Sequence, residues 1–202
     1  MEKNIGIVLK QCSQKNNIIF VLDYKNGKIK CIHNKNNILT GSIINYFITN
    51  NKSPYFIESI ELLQAPFEIA TDDILFLHHI LEICDLFLPA QHQAKEIFNL
   101  IVNLYKFESE IKNRNKKKLF IFKLLTLLGI YPEEARFRTA YFHCLATESI
   151  DNIILKNLNS EDEQELNNWL HCCITVQQEF SKFKTINFIY HPIQVTVDHE
   201  LE

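Results

Sequence analysis

The chain has 202 residues, 47% hydrophobic and 22% charged, with only four glycines and five prolines. These proportions suit one or two globular domains with a proper core and exclude a disordered or fibrous chain. The net charge is −3, but residues 1–53 hold eight lysines against Glu2 and Asp23, and residues 112–123 hold six bases and no acid, on an otherwise acidic body. Two basic islands of this kind point to an anionic polymer or an acidic tail as partner, or else to solvated faces.

In chain order, Ile5 to Leu9 reads as a short strand and residues 11–16 as a polar connection. Ile18 to Leu22 is a β-branched and aromatic run, and Lys28 to Ile32 alternates charged with apolar residues. Asn26-Gly27 between them predicts a hairpin, closed by a tight type I′ turn or by a longer one. Lys25, Lys28 and Lys30 crowd onto this hairpin beside Tyr24. After the polar loop His33-Asn34-Lys35-Asn36-Asn37, Ser42 to Thr49 predicts a fourth strand and Tyr55 to Leu63 a fifth. Five short strands with hairpin-length connections predict a small closed or half-closed barrel, with an open sheet packed on helices as the rival.

At Ala65-Pro66 the period changes to that of helices. Thr71 or Asp72 is placed to cap a helix that continues to Pro89, and Gln91 to Glu110 repeats its pattern. A third helix, from about Lys116 to Leu128, is apolar nearly all round and stops at Gly129, with Pro132 beyond, so it is expected to be central and buried. Glu133 to Thr147 reads as helical. Ser160 with Glu163 forms a capping-box signature that opens a helix running to Phe180, and residues 185–202 look extended. The expected fold class is therefore α+β, with a five-stranded barrel over residues 1–66 followed by an all-α helical domain over 67–202.

Motifs for catalysis are missing. Gly6, Gly27, Gly41 and Gly129 lie too far apart for a phosphate loop, and there is no Gly-x-Ser-x-Gly or His-Glu-x-x-His. His78 and His79 are adjacent on a helix, so they point apart and fit a core-edge contact and a surface residue better than a metal pair. Asp72-Asp73 reads as helix-start charge, and Trp169 as core. Six scattered cysteines without a Cys-x-x-Cys read as reduced thiols, and neither His143-Cys144 nor His171-Cys172-Cys173 completes a zinc site. No enzyme activity, metal or cofactor is expected. No window reaches 18 consecutive apolar residues and Met-Glu-Lys-Asn opens no secretory signal, so no membrane span and a cytoplasmic location are expected.

With this order of elements, the chain resembles the bacterial RecO family of recombination mediator proteins. Gly6-Ile-Val-Leu-Lys10, Ile18 to Asp23 and Asn26-Gly27-Lys28-Ile29 are similar to the family's opening strands and Gly-centred hairpin. Tyr55 to Leu63 resembles the last strand of its barrel, and Leu77 to Pro89 its first helix, which ends in Leu-Pro. Phe120 to Gly129, with Lys118 before and Tyr131-Pro132 after, is similar to the helix that closes at Leu-Gly-Tyr, and Phe183 to Phe188 to the C-terminal end. The likeness spans about residues 4–189. Two departures stand out: only Cys144 occupies the place of the zinc-ribbon cysteines, and the basic loop after the hairpin is reduced to residues 33–37.

The resemblance implies an OB-fold that binds single- and double-stranded DNA, anneals complementary strands and helps load recombinase in DNA repair. It also implies a RecR-type partner and the acidic tail of single-strand-binding protein as a docked peptide. Fitted to this chain, Lys10, Lys15, Lys25, Lys28, Lys30, Lys35 and Lys52 would track phosphates, while Tyr24 and Tyr46 would stack on bases or else pack their strands. Arg114, Lys116, Lys117 and Lys118, beside an apolar helix containing Phe122, would take the peptide or form a solvated basic loop. The alternative function is a protein-binding adaptor whose barrel has lost DNA binding.

Overall fold

The computed structural model describes residues 3–12, 17–34, 38–50, 52–106, 111, 113–132, 139–149, 152–153, 156–175 and 182–185. Lys15, Lys35, the start of the helix expected from Glu133, the helix ends expected at Glu110 and Phe180, and the extended tail beyond Thr185 lie outside the described residues.

Five strands come first: β1 (Lys3–Cys12), β2 (Ile18–Asp23), β3 (Gly27–His33), β4 (Ile43–Ile48) and β5 (Tyr55–Gln64). They close into a barrel in the order β1-β2-β3-β5-β4, in which only the β3–β5 pair is parallel. This is an OB-like barrel, and closure removes most of the free edges that an open sheet would leave. Ile19, Val21, Ile29, Cys31, Ile44, Tyr46 and Ile57 fill its interior. The alternation of the strands supplies them, since every second residue of β2 and β3 points inward.

Five helices follow among the described residues: α1 (Phe67–Phe87), α2 (Lys95–Lys106), α3 (Arg114–Leu127), α4 (Thr139–Thr147) and α5 (Ser160–Thr175). No helix among the described residues is long and apolar enough to cross a membrane. The α1 helix starts earlier than Thr71 or Asp72 and breaks at Asp73, whose carboxylate accepts from the Phe76 N–H at 3.0 Å and caps the second segment. As expected, α3 is central: Leu119 to Phe122, Leu124 and Leu125 are all fully buried. The capping box at Ser160 does not form. Asn159 is the cap instead, accepting from the Asp162 N–H at 2.8 Å, and this frees Glu163 to reach α3.

The outward face of the barrel is not left to solvent where it meets the helices. Ile7, Leu9, Leu22 and Ile43 belong to the same apolar cluster as α1, α2, α3 and α5. Burial of this shared surface, at about 25 cal/mol per Å², fixes the barrel on the helical body. Residues 182–185 return to α1: Phe183 packs on the rings of His79 and Phe87, and Glu82 accepts from the N–H groups of Lys184 and Thr185. The Thr185 hydroxyl donates to Glu82 at 2.6 Å, so the His79 Nδ1, 2.6 Å from the same oxygen, is the donor of that contact. His78, one residue earlier, is exposed. Burial pushes the His79 imidazole down to about 3.

Two predictions follow from this packing. A depressed histidine contributes stability that is present above its unfolded value, near 6.5, and is lost as pH falls towards 3. Urea unfolding should therefore show wild type losing about 1.4 kcal/mol per pH unit below 6.5 relative to His79→Asn; parallel pH curves would refute the buried neutral ring. The second concerns Gly27, at φ +69, where an added Cβ would lie 1.8 Å from the His92 carbonyl oxygen. Gly129 has nearly the same φ, +72, with nothing within 4 Å. Gly129→Ala should cost roughly 1–2 kcal/mol for the left-handed backbone alone, and Gly27→Ala clearly more, because the hairpin must also move off α1 and α2.

Candidate nucleic-acid interface

The hairpin is built around one buried carboxylate. Asp23, 1% exposed, pairs with Gly27 across a three-residue loop, so the longer turn forms and not the two-residue type I′ turn. Its Oδ1 accepts from the N–H groups of Lys25 and Asn26 and from Asn26 Nδ2 at 2.7–2.9 Å. Its Oδ2 accepts from the Tyr46 hydroxyl at 2.5 Å. The Tyr46 ring fills the barrel beside Gly6, where a Cβ would sit 2.3 Å from Val21 and 3.2 Å from Tyr46. Tyr46 is 0% exposed, which corrects its expected role: a ring inside the barrel offers no face to a base. Burial, and then the negative charge of Asp23, push the Tyr46 phenol well above its ordinary value and the Cys31 thiol up to about 12. Both groups stay neutral and structural.

Part of the hairpin tip is likewise packed on the helical body. The Gln91 N–H donates to the Lys28 carbonyl at 2.9 Å, and the Lys28 ammonium donates to the Asp85 carbonyl at 2.6 Å. Gln93 Nε2 reaches the Lys25 carbonyl, and the Tyr24 ring meets Phe98 edge-on at 5.3 Å with the Lys95 ammonium over it. Tyr24 and Lys28 therefore hold the barrel to the α1–α2 connection and are not presented to a nucleic acid.

The outer face of β1, β2 and β3 keeps a different set. Lys10 pairs with Phe20 across one ladder, and Phe20 with Lys30 across the next. Directly paired residues share a face, so a ring stands between two lysines in one row, with strands about 4.8 Å apart. Lys30 is exposed, Phe20 is half-buried at the edge of the helix-facing cluster, and the Lys10 side chain is 53% exposed even though it bridges to Asp85 at 3.2 Å. Ile18 and Ile32, also half-buried, form the next row. Lys52 is exposed on the β4–β5 connection, three residues before Tyr55, which pairs with Cys31 next to Lys30. Lys25 is exposed at the tip. Phe20 was not among the expected site residues. Its signal was its place one strand position from Val21 in the run Ile18 to Leu22, which reads as core until the turn length is known.

The expected peptide site is largely consumed by packing. Lys117 pairs with Asp73 and sits over the Phe76 ring, and Lys118, 2% exposed, donates to Glu163 at 2.9 Å. The Lys118 hydrogen bond, partly offset by burial and helped by Asn115, holds the Glu163 carboxyl below the usual range. Phe122 is fully buried against Trp169 and Phe142, at 4.7 and 5.7 Å between ring centres. It floors a groove of about 420 Å³ whose lining, among the described residues, includes Tyr131, His143 and Trp169 but no lysine or arginine. Lys117, Lys118 and Phe122 thus tie α3 to α1, α4 and α5; Lys118 and Phe122 are buried and offer a peptide no surface, which corrects their expected role, while Lys117 lines a pocket with Ile69, Phe76, Leu104 and Ile111. Arg114 is exposed and Lys116 half-buried at the start of α3.

No three histidine, cysteine or carboxylate side chains converge as a metal site among the described residues. No protein-family model matches the chain, and no curated protein matches it in sequence. One substitution separates the two roles of Tyr46. Tyr46→Phe removes a donor from a buried carboxylate and should cost roughly 1–3 kcal/mol in a urea melt. Single-stranded DNA affinity of the folded protein should not change; a loss of affinity would return the ring to the binding surface.

Proposed function

We propose that this protein is a RecO-like recombination mediator, which binds DNA through its OB-like barrel, anneals complementary strands and helps load recombinase, without catalysing a reaction itself. The observation that carries this reading is the Lys10–Phe20–Lys30 row on the outer face of β1, β2 and β3. A ring between cations suits a single strand, because every base has a face to stack and every nucleotide brings a phosphate. Lys25 and Lys52 extend the cationic path on either side. Double-stranded DNA would use the same cations without the ring. Annealing needs two backbones held close with their bases accessible and asks for no catalytic residue.

The protein partners of such a mediator, a RecR-type protein and the acidic tail of single-strand-binding protein, belong to the same proposal. For the acidic tail, the cations left facing outward at the start of α3 are Arg114 and Lys116. The adaptor reading has one observation in its favour: Lys28, Lys117 and Lys118 are engaged within the protein, which lowers the number of cations available to phosphates.

The test is binding of a fluorescent single-stranded oligonucleotide across a salt series, followed by addition of the complementary strand. With about three to four phosphates neutralised, the logarithm of affinity should fall against that of salt with a slope of about −2 to −3. Loss of stacking in Phe20→Leu, which keeps the apolar packing, should weaken binding by roughly 1–3 kcal/mol. Lys30→Glu should weaken it further and flatten the slope. Absence of binding at low salt would overturn the mediator reading in favour of the adaptor.

A further inference from the structure

On the outer face of the barrel, the row next to Lys10–Phe20–Lys30 is apolar across four strands. Cys12 pairs with Ile18, Ile18 with Ile32, and Ile32 with Phe56 of β5. Cys12, Ile18 and Ile32 each lie two residues from a member of the first row, so alternation puts both rows on one face. The neighbours of Phe56 agree with this, because Tyr55 and Ile57 belong to the barrel interior. Among the described residues, Ile18 and Ile32 are half-buried and pack on neither core cluster, and Phe56 is 48% exposed. Phe20 and Phe56 are two strands and one two-residue step apart, about 12 Å from strand spacing and rise. Two rings at that separation cannot sandwich one base, but they can take different bases of one nucleic-acid strand.

Phe56 is fixed by the connection that precedes it. Its N–H donates to Asn50 Oδ1 at 2.6 Å, and its carbonyl accepts from the Thr49 N–H at 2.9 Å. Asn50 Nδ2 donates to the carbonyls of Lys52 and Pro54 at 2.7 and 3.0 Å. One side-chain amide thus ties the loop that carries Lys52 to the strand that carries Phe56. Cations border the apolar row: Lys10 and Lys30 stand in the adjoining row and Lys52 on the loop, all exposed, although Lys10 shares its charge with Asp85. Glu58, exposed two residues beyond Phe56, ends the cationic border on that side. Such a strip suits a ligand that is apolar along one edge and anionic along the other. A single-stranded nucleic acid has both, while a duplex hides its bases and leaves the apolar row uncovered.

We propose that Phe56 is a second stacking residue of the single-strand site, taking a base separate from the one on Phe20, with Ile18 and Ile32 as the bed between them. The inference rests on the nucleic-acid reading of the barrel and adds a path to it. The bound strand crosses β2, β3 and β5 in that order, with Lys30 and Lys52 on its phosphates. It also adds selectivity, because the second ring serves single strands alone while the cations serve duplex as well.

The probes are a fluorescent oligothymidylate of about eight nucleotides, within the range one OB barrel covers, and a blunt duplex, each titrated with the full chain. Phe56→Leu should weaken binding of the oligothymidylate by about tenfold and leave duplex affinity within about twofold. Phe56 is exposed, so the thermal melt of the variant should match wild type. Combined with Phe20→Leu the two losses should multiply, as they do for separate contacts. Phe56→Trp should keep the affinity, and its emission should be quenched by the oligothymidylate, which the buried Trp169 alone does not report. Unchanged affinity in Phe56→Leu, with Phe20→Leu weakened, would overturn the second stacking residue and leave the nucleic-acid reading standing. Equal losses on single strand and duplex would overturn it too, since the ring would then only support the cations. If wild type bound no oligothymidylate at low salt, both would fall.

Discussion

The Asp23 carboxylate is the point on which the barrel and its junction with the helices both depend. A carboxylate taken out of water is costly unless its oxygens are all given donors. Here they are given four, from the turn backbone, the Asn26 side chain and the Tyr46 hydroxyl. Three of these shape the loop, and the fourth comes from β4 across the barrel interior. The same group therefore sets the length of the turn and keeps the barrel closed around it. With the loop so shaped, Gly27 lies flat against the His92 carbonyl and Lys28 reaches Asp85, a contact that no residue with a Cβ at position 27 permits.

Turn length also decides what the outer face of the sheet displays. A two-residue loop at Asn26-Gly27 would have paired the strands in another register, and an odd slip turns every side chain to the opposite face. The observed pairing of Asp23 with Gly27 puts Phe20 opposite Lys30 on the outside and Val21 opposite Ile29 within. The bulge in β1 between Val8 and Lys10 completes the arrangement, sending Leu9 into the helix-facing cluster and leaving Lys10 in the row with Phe20. The candidate site is thus a consequence of two local irregularities and not of the basic composition of the hairpin as a whole.

This explains what could be read in the sequence and what could not. Period-two and helical patterns are local, so the five strands, the barrel class and the buried α3 were legible. So was the divergence of His78 and His79. Which lysines remain outward depends on distant acceptors: Lys28 meets the Asp85 main-chain carbonyl, Lys117 meets Asp73 and Lys118 meets Glu163, each more than forty residues away in sequence. No spacing rule reports such pairs. Tyr46 was the more legible miss, because it shares the parity of Ile44, and the glycine at position 6 leaves the space its ring fills. Ser160 failed as a cap for a related reason. Asn159, one residue ahead, accepts from the Asp162 N–H, and Glu163 had a buried lysine to neutralise.

The distribution of charge also settles how a chain with net charge −3 can present a cationic face. At physiological salt a charge is felt over about 8 Å, so a ligand responds to the strand it touches and not to the total. Lysines drawn into internal pairs contribute to packing and nothing to that local field. Those on the outer face of β1 and β3 contribute to it, Lys10 less than Lys30 because Asp85 bridges it. The acids of β5 and early α1 are displaced along the chain to a surface that keeps its own apolar residues exposed. Segregation of this kind has a cost, because like charges gathered on one stretch repel, and Lys3 and Lys117 offset part of it by bridging Glu61 and Asp73.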